Sequence, residues 1–101
     1  MPELTVLSPT LNSTLMIFAI RHTITNPEVF WKRAQESLPN LPQGFKVHSV
    51  MPDASMKNAV CIWEAESLDK MRAYLEGAVG DVSTNDYIVV NEAAAMGIPK
   101  S

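Results

Sequence analysis

The sequence predicts an α+β domain in which a four-stranded antiparallel sheet carries two helices on one face. Three observations predict it: four short runs are rich in aliphatic and β-branched residues, two segments repeat apolar residues at helical spacing, and these segments follow the order β-α-β-β-α-β. The 101 residues suffice for one domain, and 47% hydrophobic with 19% charged residues is typical of a globular chain rather than a disordered one.

The first strand and the first helix are predicted within residues 15–38. The run LMIFAIRHTI at 15–24 is apolar on both of its faces, which is typical of a central strand. Asn26 can cap a helix, and Pro27 suits its first position. The apolar residues that follow recur at helical spacing: Phe30, Ala34 and Leu38. Pro39 is expected to end this helix.

A hairpin is predicted at residues 44–65. GFKVHSVMP at 44–52 alternates as a strand does, and AVCIWEA at 59–65 follows after the turn DASMKN. Strict alternation in the first of these strands assigns one face to Phe45, Val47, Ser49 and Met51 and the other face to Lys46, His48 and Val50.

The second helix and the last strand complete the domain. Ser67 is a suitable cap, and Gly77 and Gly80 mark the end of the helix. The apolar stripe of this helix comprises Leu68, Met71, Leu75, Ala78 and Val79. DYIVVNE at 86–92 is predicted as the fourth strand, with Asn85 and Asp86 in the turn before it. The domain thus spans 15–92, between a tail at 1–14 and an extension at 93–101.

The order β-α-β-β-α-β is the ferredoxin-like pattern. Two helices cover only one face of such a sheet, yet the strands are apolar on both faces. Four strands with about five residues each give a face of roughly 300 Å² in projection, which is large for an exposed apolar patch on a monomer. We therefore expect a homodimer in which the open faces pack together.

Composition excludes several classes of function. The net charge is −3 and there is no basic run, so nucleic acid is not expected as the partner. A single cysteine excludes an intramolecular disulfide and fits a reducing compartment. The sequence has neither a basic, apolar signal segment nor an apolar run of about 20 residues, so we expect a cytoplasmic protein without a membrane partner.

The end of strand three and the second helix resemble the dimeric α/β-barrel superfamily, which includes the antibiotic-biosynthesis-monooxygenase-like proteins. The residues that carry the resemblance are Trp63-Glu64, Ser67-Leu68 and Tyr74-Leu75-Glu76. The resemblance covers residues 15–92 and implies a homodimeric barrel whose relatives include cofactor-free oxygenases, isomerases, haem-degrading enzymes and metal-binding proteins. Relatives that degrade haem carry a histidine in helix two, which this helix lacks, so haem is not expected. The strand-one asparagine of the oxygenases is also absent.

His22 is the first candidate for chemistry, because a histidine that faces a pocket can act as a base near neutral pH. The alternative is a hydrogen-bonded histidine at the rim of the sheet. Arg21 points to the opposite face, where it would bind a carboxylate, lie in a dimer interface or be solvated. His48 shares a face with Lys46 and is either a ligand contact or simply exposed.

The other candidates lie near the end of strand three. Trp63 and Tyr87 would stack on a planar ligand or fill the dimer core, and Glu64 would act as a base, pair with Arg21 or be solvated. Cys61 lies in apolar surroundings, so we expect an inert thiol. A metal site built from His22, His48, Cys61 and Glu64 lacks any standard ligand spacing, and no cofactor is expected.

Two hypotheses follow. In the first, each barrel binds a small apolar or aromatic molecule, with His22 as base and Trp63 as pocket wall, and acts as a cofactor-independent monooxygenase-like or isomerase-like enzyme. In the second, the protein is a non-enzymatic ligand-binding, metal-binding or interaction protein with a structural barrel, and side chains fill its interior.

Overall fold

The computed structural model describes residues 15–98, so the predicted tail at 1–14 lies outside the described residues. The predicted order of elements is confirmed. The elements are β1 (Met16–Ile24), α1 (Pro27–Ser37), β2 (Lys46–Pro52), β3 (Asn58–Ala65), α2 (Leu68–Val79) and β4 (Ser83–Val89), with a short 3₁₀ turn at Leu38–Asn40 after α1. No helix in this part of the chain is both long and apolar enough to cross a membrane.

The four strands form one antiparallel sheet in the order β2-β3-β1-β4. β1 therefore has a neighbour on each side, as its two apolar faces predicted. Phe18 lies opposite Trp63 of β3 and Val89 of β4, and Ile20 lies opposite Cys61 and Tyr87. Because directly opposed residues share a face, these pairs define one side of the sheet.

Both helices pack on that same side. Phe30 of α1 and Met71, Leu75 and Val79 of α2 are buried in one cluster with Phe18, Ile20, Cys61 and Trp63. The predicted caps are confirmed, since the side chains of Asn26 and Ser67 accept hydrogen bonds from the amides of Val29 and Lys70. Gly80 is the C-cap of α2. The arrangement is an α+β fold with ferredoxin-like topology.

Strict alternation in β2 is wrong. The pairing with β3 shifts between Val47 and Ser49, so His48 is the extra residue of a β-bulge. Val47 and Val50 consequently both face the helices, opposite Trp63 and Cys61. Sequence patterning assigned them to opposite faces, because a bulge inserts one residue and reverses the alternation after it.

The predicted start of the last strand is also wrong. β4 begins at Ser83 rather than at 86, because Ser83 and Thr84 already pair with Ile24 and Thr23 of β1. It ends at Val89, before a turn at Asn91 whose carbonyl oxygen accepts from the amides of Ala94 and Ala95. The shift moves Asn85 out of the predicted turn and into the strand, on the face that carries the helices.

Candidate functional site

A cavity of about 40 Å³ lies between the sheet and the two helices. Its wall from the sheet is formed by His22, Val50, Cys61 and Trp63, and its wall from the helical side comprises Phe30, Trp31, Ala34, Ser37, Leu38, Tyr74, Leu75, Ala78 and Val79. The lining is therefore almost wholly apolar and aromatic, with one imidazole, one thiol and one indole on the sheet side. The predicted association of His22 and Trp63 in one pocket is present in this geometry.

His22 is buried in the wall of this cavity, with 2% of its surface exposed. It projects from β1 between the two helix-facing neighbours Ala59 and Asn85. Its Nδ1 atom lies 2.6 Å from Oδ1 of Asn85, and its ring meets the ring of Phe30 edge-on at 5.3 Å between centroids. Nε2 makes no hydrogen bond with a described residue, so it is the nitrogen left for a molecule in the cavity.

A chain of hydrogen bonds determines which nitrogen of His22 carries the proton. The carboxylate of Glu76 accepts from Nδ2 of Asn85 at 3.0 Å and from the hydroxyl of Tyr87 at 2.7 Å. A carboxylate only accepts, so the amide of Asn85 must turn its nitrogen to Glu76 and its oxygen to His22. That oxygen also lies 2.9 Å from the hydroxyl of Ser83. At 2.6 Å a ring nitrogen without a proton would repel that oxygen, lone pair against lone pair, so Nδ1–H of His22 donates and neutral Nε2 keeps its lone pair.

The electrostatics keep this imidazole neutral. Burial lowers the pKa of His22 below its ordinary value, and the hydrogen bond to Asn85 and the charge of Glu76 only partly oppose this effect. The pKa of Glu76 is lowered by its hydrogen bonds from Asn85 and Tyr87, so this side chain remains an anion. The site thus combines a neutral base with a carboxylate one residue removed from it.

Trp63 and Cys61 form the adjoining part of the wall. The indole of Trp63 is 3% exposed and packs against Tyr74, with 5.9 Å between ring centroids. Its Nε1 atom makes no hydrogen bond of normal geometry in the described part of the chain and has only the thiol of Cys61, a weak acceptor, beside it, and such a donor favours a stronger acceptor that enters. Burial raises the pKa of the Cys61 thiol to about 11, so the thiol is a protonated, apolar neighbour at neutral pH.

The remaining candidates lie elsewhere. Arg21 is exposed on the open face of the sheet, as its place in β1 predicted. Glu64 lies on the same open face and does not bind Arg21; its Oε1 atom is 2.7 Å from Nε2 of His48. Tyr87 shares the helix-facing side with Trp63 but does not line the cavity; its hydroxyl donates a hydrogen bond to Glu76. A ligand-binding role for Arg21, Glu64 and His48 remains a prediction that concerns the open face.

The four residues considered as metal ligands are divided between the two faces. His22 and Cys61 face the helices, whereas Glu64 and His48 form their own pair on the other side of the sheet. Within residues 15–98 no group of three or more His, Cys, Asp or Glu side chains is arranged to hold a metal ion. Helix α2 contains no histidine.

Sequence analysis missed Asn85 and Glu76 as parts of the site. Asn85 was assigned to a turn, and Glu76 belonged only to a resemblance motif. One signal was present: alternation through Tyr87 and Asn85 places both on one face once the strand begins at Ser83. The contact with Glu76 joins α2 to β4 across nine residues and required the packing of the helix on the sheet.

Comparison of the chain with protein-family models, curated proteins and solved structures finds no match. The fold and the site therefore define the protein as an α+β domain of ferredoxin-like topology with a buried histidine in an apolar cavity.

Proposed function

We propose that this protein binds a small, mainly apolar molecule between its sheet and helices and uses His22 to accept a proton from it. One observation carries the proposal: His22 lines an apolar cavity while its Nδ1 atom lies 2.6 Å from Oδ1 of Asn85, which leaves Nε2 as the nitrogen available to a ligand. A buried neutral imidazole with a fixed tautomer is what a general base requires. The indole of Trp63 adds a donor for an oxygen atom of the same molecule.

The simplest reaction that such a site supports is isomerisation by proton transfer. Nε2 would take a proton from an activated carbon, the electron pair would remain on the substrate as an enolate, and the imidazolium would return the proton to a neighbouring carbon. These two proton transfers conserve atoms and electrons and need no cofactor. A monooxygenase-like reaction would begin with the same proton transfer and would need dioxygen to oxidise the carbanion. This second reaction enters the proposal only through the resemblance of short motifs such as Trp63-Glu64 and Ser67-Leu68 to the dimeric α/β-barrel superfamily, which the comparisons with known proteins do not support.

The size of the cavity limits the ligand. A space of about 40 Å³ compares with about 150 Å³ for an engineered cavity that binds benzene. A molecule larger than a few atoms must therefore displace side chains at the cavity wall. Trp31, Leu38 and Tyr74 are half-buried there, and rotation of these side chains would enlarge the space without disrupting the sheet.

A fragment screen by protein-observed NMR tests the proposal. Small neutral aromatic and aliphatic compounds are titrated into the labelled protein, and binders are expected to shift the resonances of cavity residues. Fragments that carry an O–H or N–H donor should bind about tenfold more weakly to His22→Gln, because the variant lacks the ring nitrogen that accepts from them. Thr23→Gln is the matched control, since it alters the next residue of β1, which is exposed and points to the opposite face. Equal affinities in His22→Gln and the wild type, or no binder at the cavity, would refute the proposal.

The small volume also favours a second candidate, a non-enzymatic protein whose interior is filled by its own side chains. In that case the remaining space of about 40 Å³ is a small packing defect without a ligand, and a slightly larger apolar residue that fills it should not lower the stability. Cys61→Val places a branched side chain at a wall position in β3, where β-branched residues are favourable. An unchanged or raised melting temperature together with a blank fragment screen would support this candidate. A cavity-specific binder would exclude it.

We propose further that the exposed part of the sheet face opposite the helices pairs with a second copy of the chain; Ile17 and Glu64 of this face are already buried within the single chain. Met51, Val60 and Ile88 are exposed on that face, and single-sided sheets commonly bury such residues on a partner. Arg21 lies opposite Asp86 on the same face, both are exposed, and no ion pair joins them within the described chain. In the proposed dimer the two-fold axis passes close to this pair, so that each Arg21 meets the Asp86 of the other copy in a self-complementary contact.

Sedimentation or native mass spectrometry tests the dimer. Ile88→Asp should convert the dimer to a monomer, because Ile88 is 61% exposed in the single chain and a carboxylate there does not disturb the fold. Met96→Asp is the control, since Met96 lies outside the sheet and is 93% exposed. A wild-type monomer at micromolar concentration, or a dimer that survives Ile88→Asp, would contradict this arrangement.

A further inference from the structure

We propose that Asn85 is a positioning residue for His22 and that Glu76 determines which way the amide of Asn85 faces. Together they hold the imidazole in the tautomer with Nδ1 protonated, so that the lone pair of Nε2 serves the cavity. The inference deepens the proposed function and rests on it in one respect, namely that a bound molecule uses Nε2. The tautomer itself is a property of the protein without a ligand.

The direction of each hydrogen bond in the series His22–Asn85–Glu76 follows from the carboxylate at its end. Glu76 accepts from both Asn85 and Tyr87, so its carboxylate requires donors on both sides. This requirement excludes the flipped amide of Asn85, in which the nitrogen would face His22 and the oxygen would face the carboxylate. In that flipped state Nδ1 would have to accept, and the proton would move to Nε2. Glu76 therefore determines the tautomer of His22 through Asn85, which contacts both residues.

The choice of an amide rather than a carboxylate at position 85 has a chemical consequence. A carboxylate 2.6 Å from Nδ1 would stabilise the imidazolium and raise the proton affinity of the ring. An imidazolium cannot accept a proton from a ligand. Asn85 fixes the orientation and the tautomer without adding a charge, and the charge of Glu76 remains one residue away.

The other groups around His22 do not compete for this role. From α1 it meets the ring of Phe30, and from β3 the thiol of Cys61 shares its cavity and stays protonated at neutral pH. From β4, Ser83 supports Asn85. Tyr87 has a raised pKa and remains a donor to Glu76. Arg72 lies over the ring of Tyr87, with 5.4 Å between its guanidinium carbon and the ring centroid, so the nearest charges belong to the Glu76 end of the chain.

The test is long-range ¹H–¹⁵N NMR of the imidazole ring in ligand-free protein near pH 7.5. The wild type should show a single neutral form with the proton on Nδ1. Asn85→Ala should lose that signature and show the Nε2–H form or an exchanging mixture. Asn85→Asp should restore a donor-acceptor contact but move the protonation midpoint of His22 to higher pH. Tyr87→Phe is the matched control, because it removes the other hydrogen bond of Glu76 and leaves the contact with Asn85 intact.

Glu76→Gln provides a second variant should Asn85→Ala fail to fold. Glu76 is exposed, so this change spares the core, yet it supplies a side-chain donor that permits the amide of Asn85 to flip. A mixture of tautomers at His22 is expected. An Nε2–H form in the wild type, or an unchanged tautomer in both Asn85→Ala and Glu76→Gln, would overturn the inference. A blank fragment screen with a responsive tautomer would refute only the proposed ligand binding, so the two failures are distinguishable.

Discussion

The buried position of His22 predicts a pH dependence of stability that one substitution removes. Burial lowers the pKa of this residue in the folded protein below 6.5, the value expected in the unfolded chain. Between these two values the unfolded chain binds a proton that the folded protein does not. The free energy of unfolding should therefore decrease as the pH falls below about 6.5, and the titration of His22 should add no pH dependence above neutrality.

The size of this effect follows from linkage. At pH 6.5 the unfolded histidine is half protonated. Below that pH the slope contributed by His22 approaches about 1.4 kcal/mol per pH unit for as long as the folded ring stays neutral. The carboxylates with lowered pKa values, Glu76, Asp53 and Asp81, have ordinary values of 4.5, 3.8 and 3.8. The stability that these three carboxylates contribute is present above those values and is lost as the pH falls below them. Their loss of stability therefore occurs below pH 5, outside the range in which His22 acts.

The assay is urea denaturation at half-unit steps from pH 5 to pH 8, for the wild type and His22→Gln. The variant is expected to be less stable at pH 8 and to show a flatter profile below pH 6.5, because glutamine does not titrate. The same comparison in a His48→Gln background is the control, since it removes the second histidine of the chain from both proteins and leaves His22 as the only difference between them. An undiminished slope in His22→Gln would refute the account of a buried, neutral imidazole.

Two substitutions and one reactivity measurement test the core, the cap of α2 and the burial of Cys61. Met71→Ala should lower the free energy of unfolding by about 2–5 kcal/mol, since Met71 is 0% exposed, whereas Met96→Ala should change it by less than about 0.5 kcal/mol; equal losses in urea denaturation would contradict the assignment of the core. Ser67→Ala should cost about 1 kcal/mol through the loss of the cap on α2, and Ser67→Asp should restore it. Cys61 should react with a disulfide reagent at pH 8 far more slowly in the folded protein than in urea; similar rates would show that the thiol is accessible.

The fold could be predicted because its signals are local. Asn26 and Ser67 are capping residues directly before apolar repeats, and both caps are present. The alternation of Ala59, Cys61 and Trp63 on one face of β3 is also present. Each of these patterns depends on neighbours a few residues away, so one sequence suffices to detect it.

The site could be predicted only in part, because it depends on register. The sequence indicated His22 and Trp63 as pocket residues, and both line the cavity. Asn85 reaches His22 only because β4 begins at Ser83 and pairs with β1 in one register. The bulge at His48 likewise changes which residues of β2 face inward. Such long-range pairings leave no signature in a single strand, since a shift of one residue exchanges its two faces.

The last prediction concerns Glu64, a buried carboxylate on the sheet face opposite the helices. Glu64 is 1% exposed, and its Oε1 atom lies 2.7 Å from Nε2 of His48, whose side chain is 21% exposed. A buried carboxylate needs a hydrogen-bond donor, and loss of the donor leaves the charge without compensation. His48→Ala should therefore destabilise the protein by about 1–3 kcal/mol or more at pH 8.

Glu64→Gln should cost less than His48→Ala, although it alters the more buried partner. Glutamine retains an oxygen that accepts from His48 and removes the charge, so no buried ion remains without a partner. The double variant should be more stable than the sum of the single losses predicts, because His48→Ala costs little once the charge is absent. Urea denaturation of the four proteins of this cycle measures the coupling. Additive losses would show that water compensates Glu64 and that the open face of the sheet is wet at this position, which would also weaken the case for a partner there.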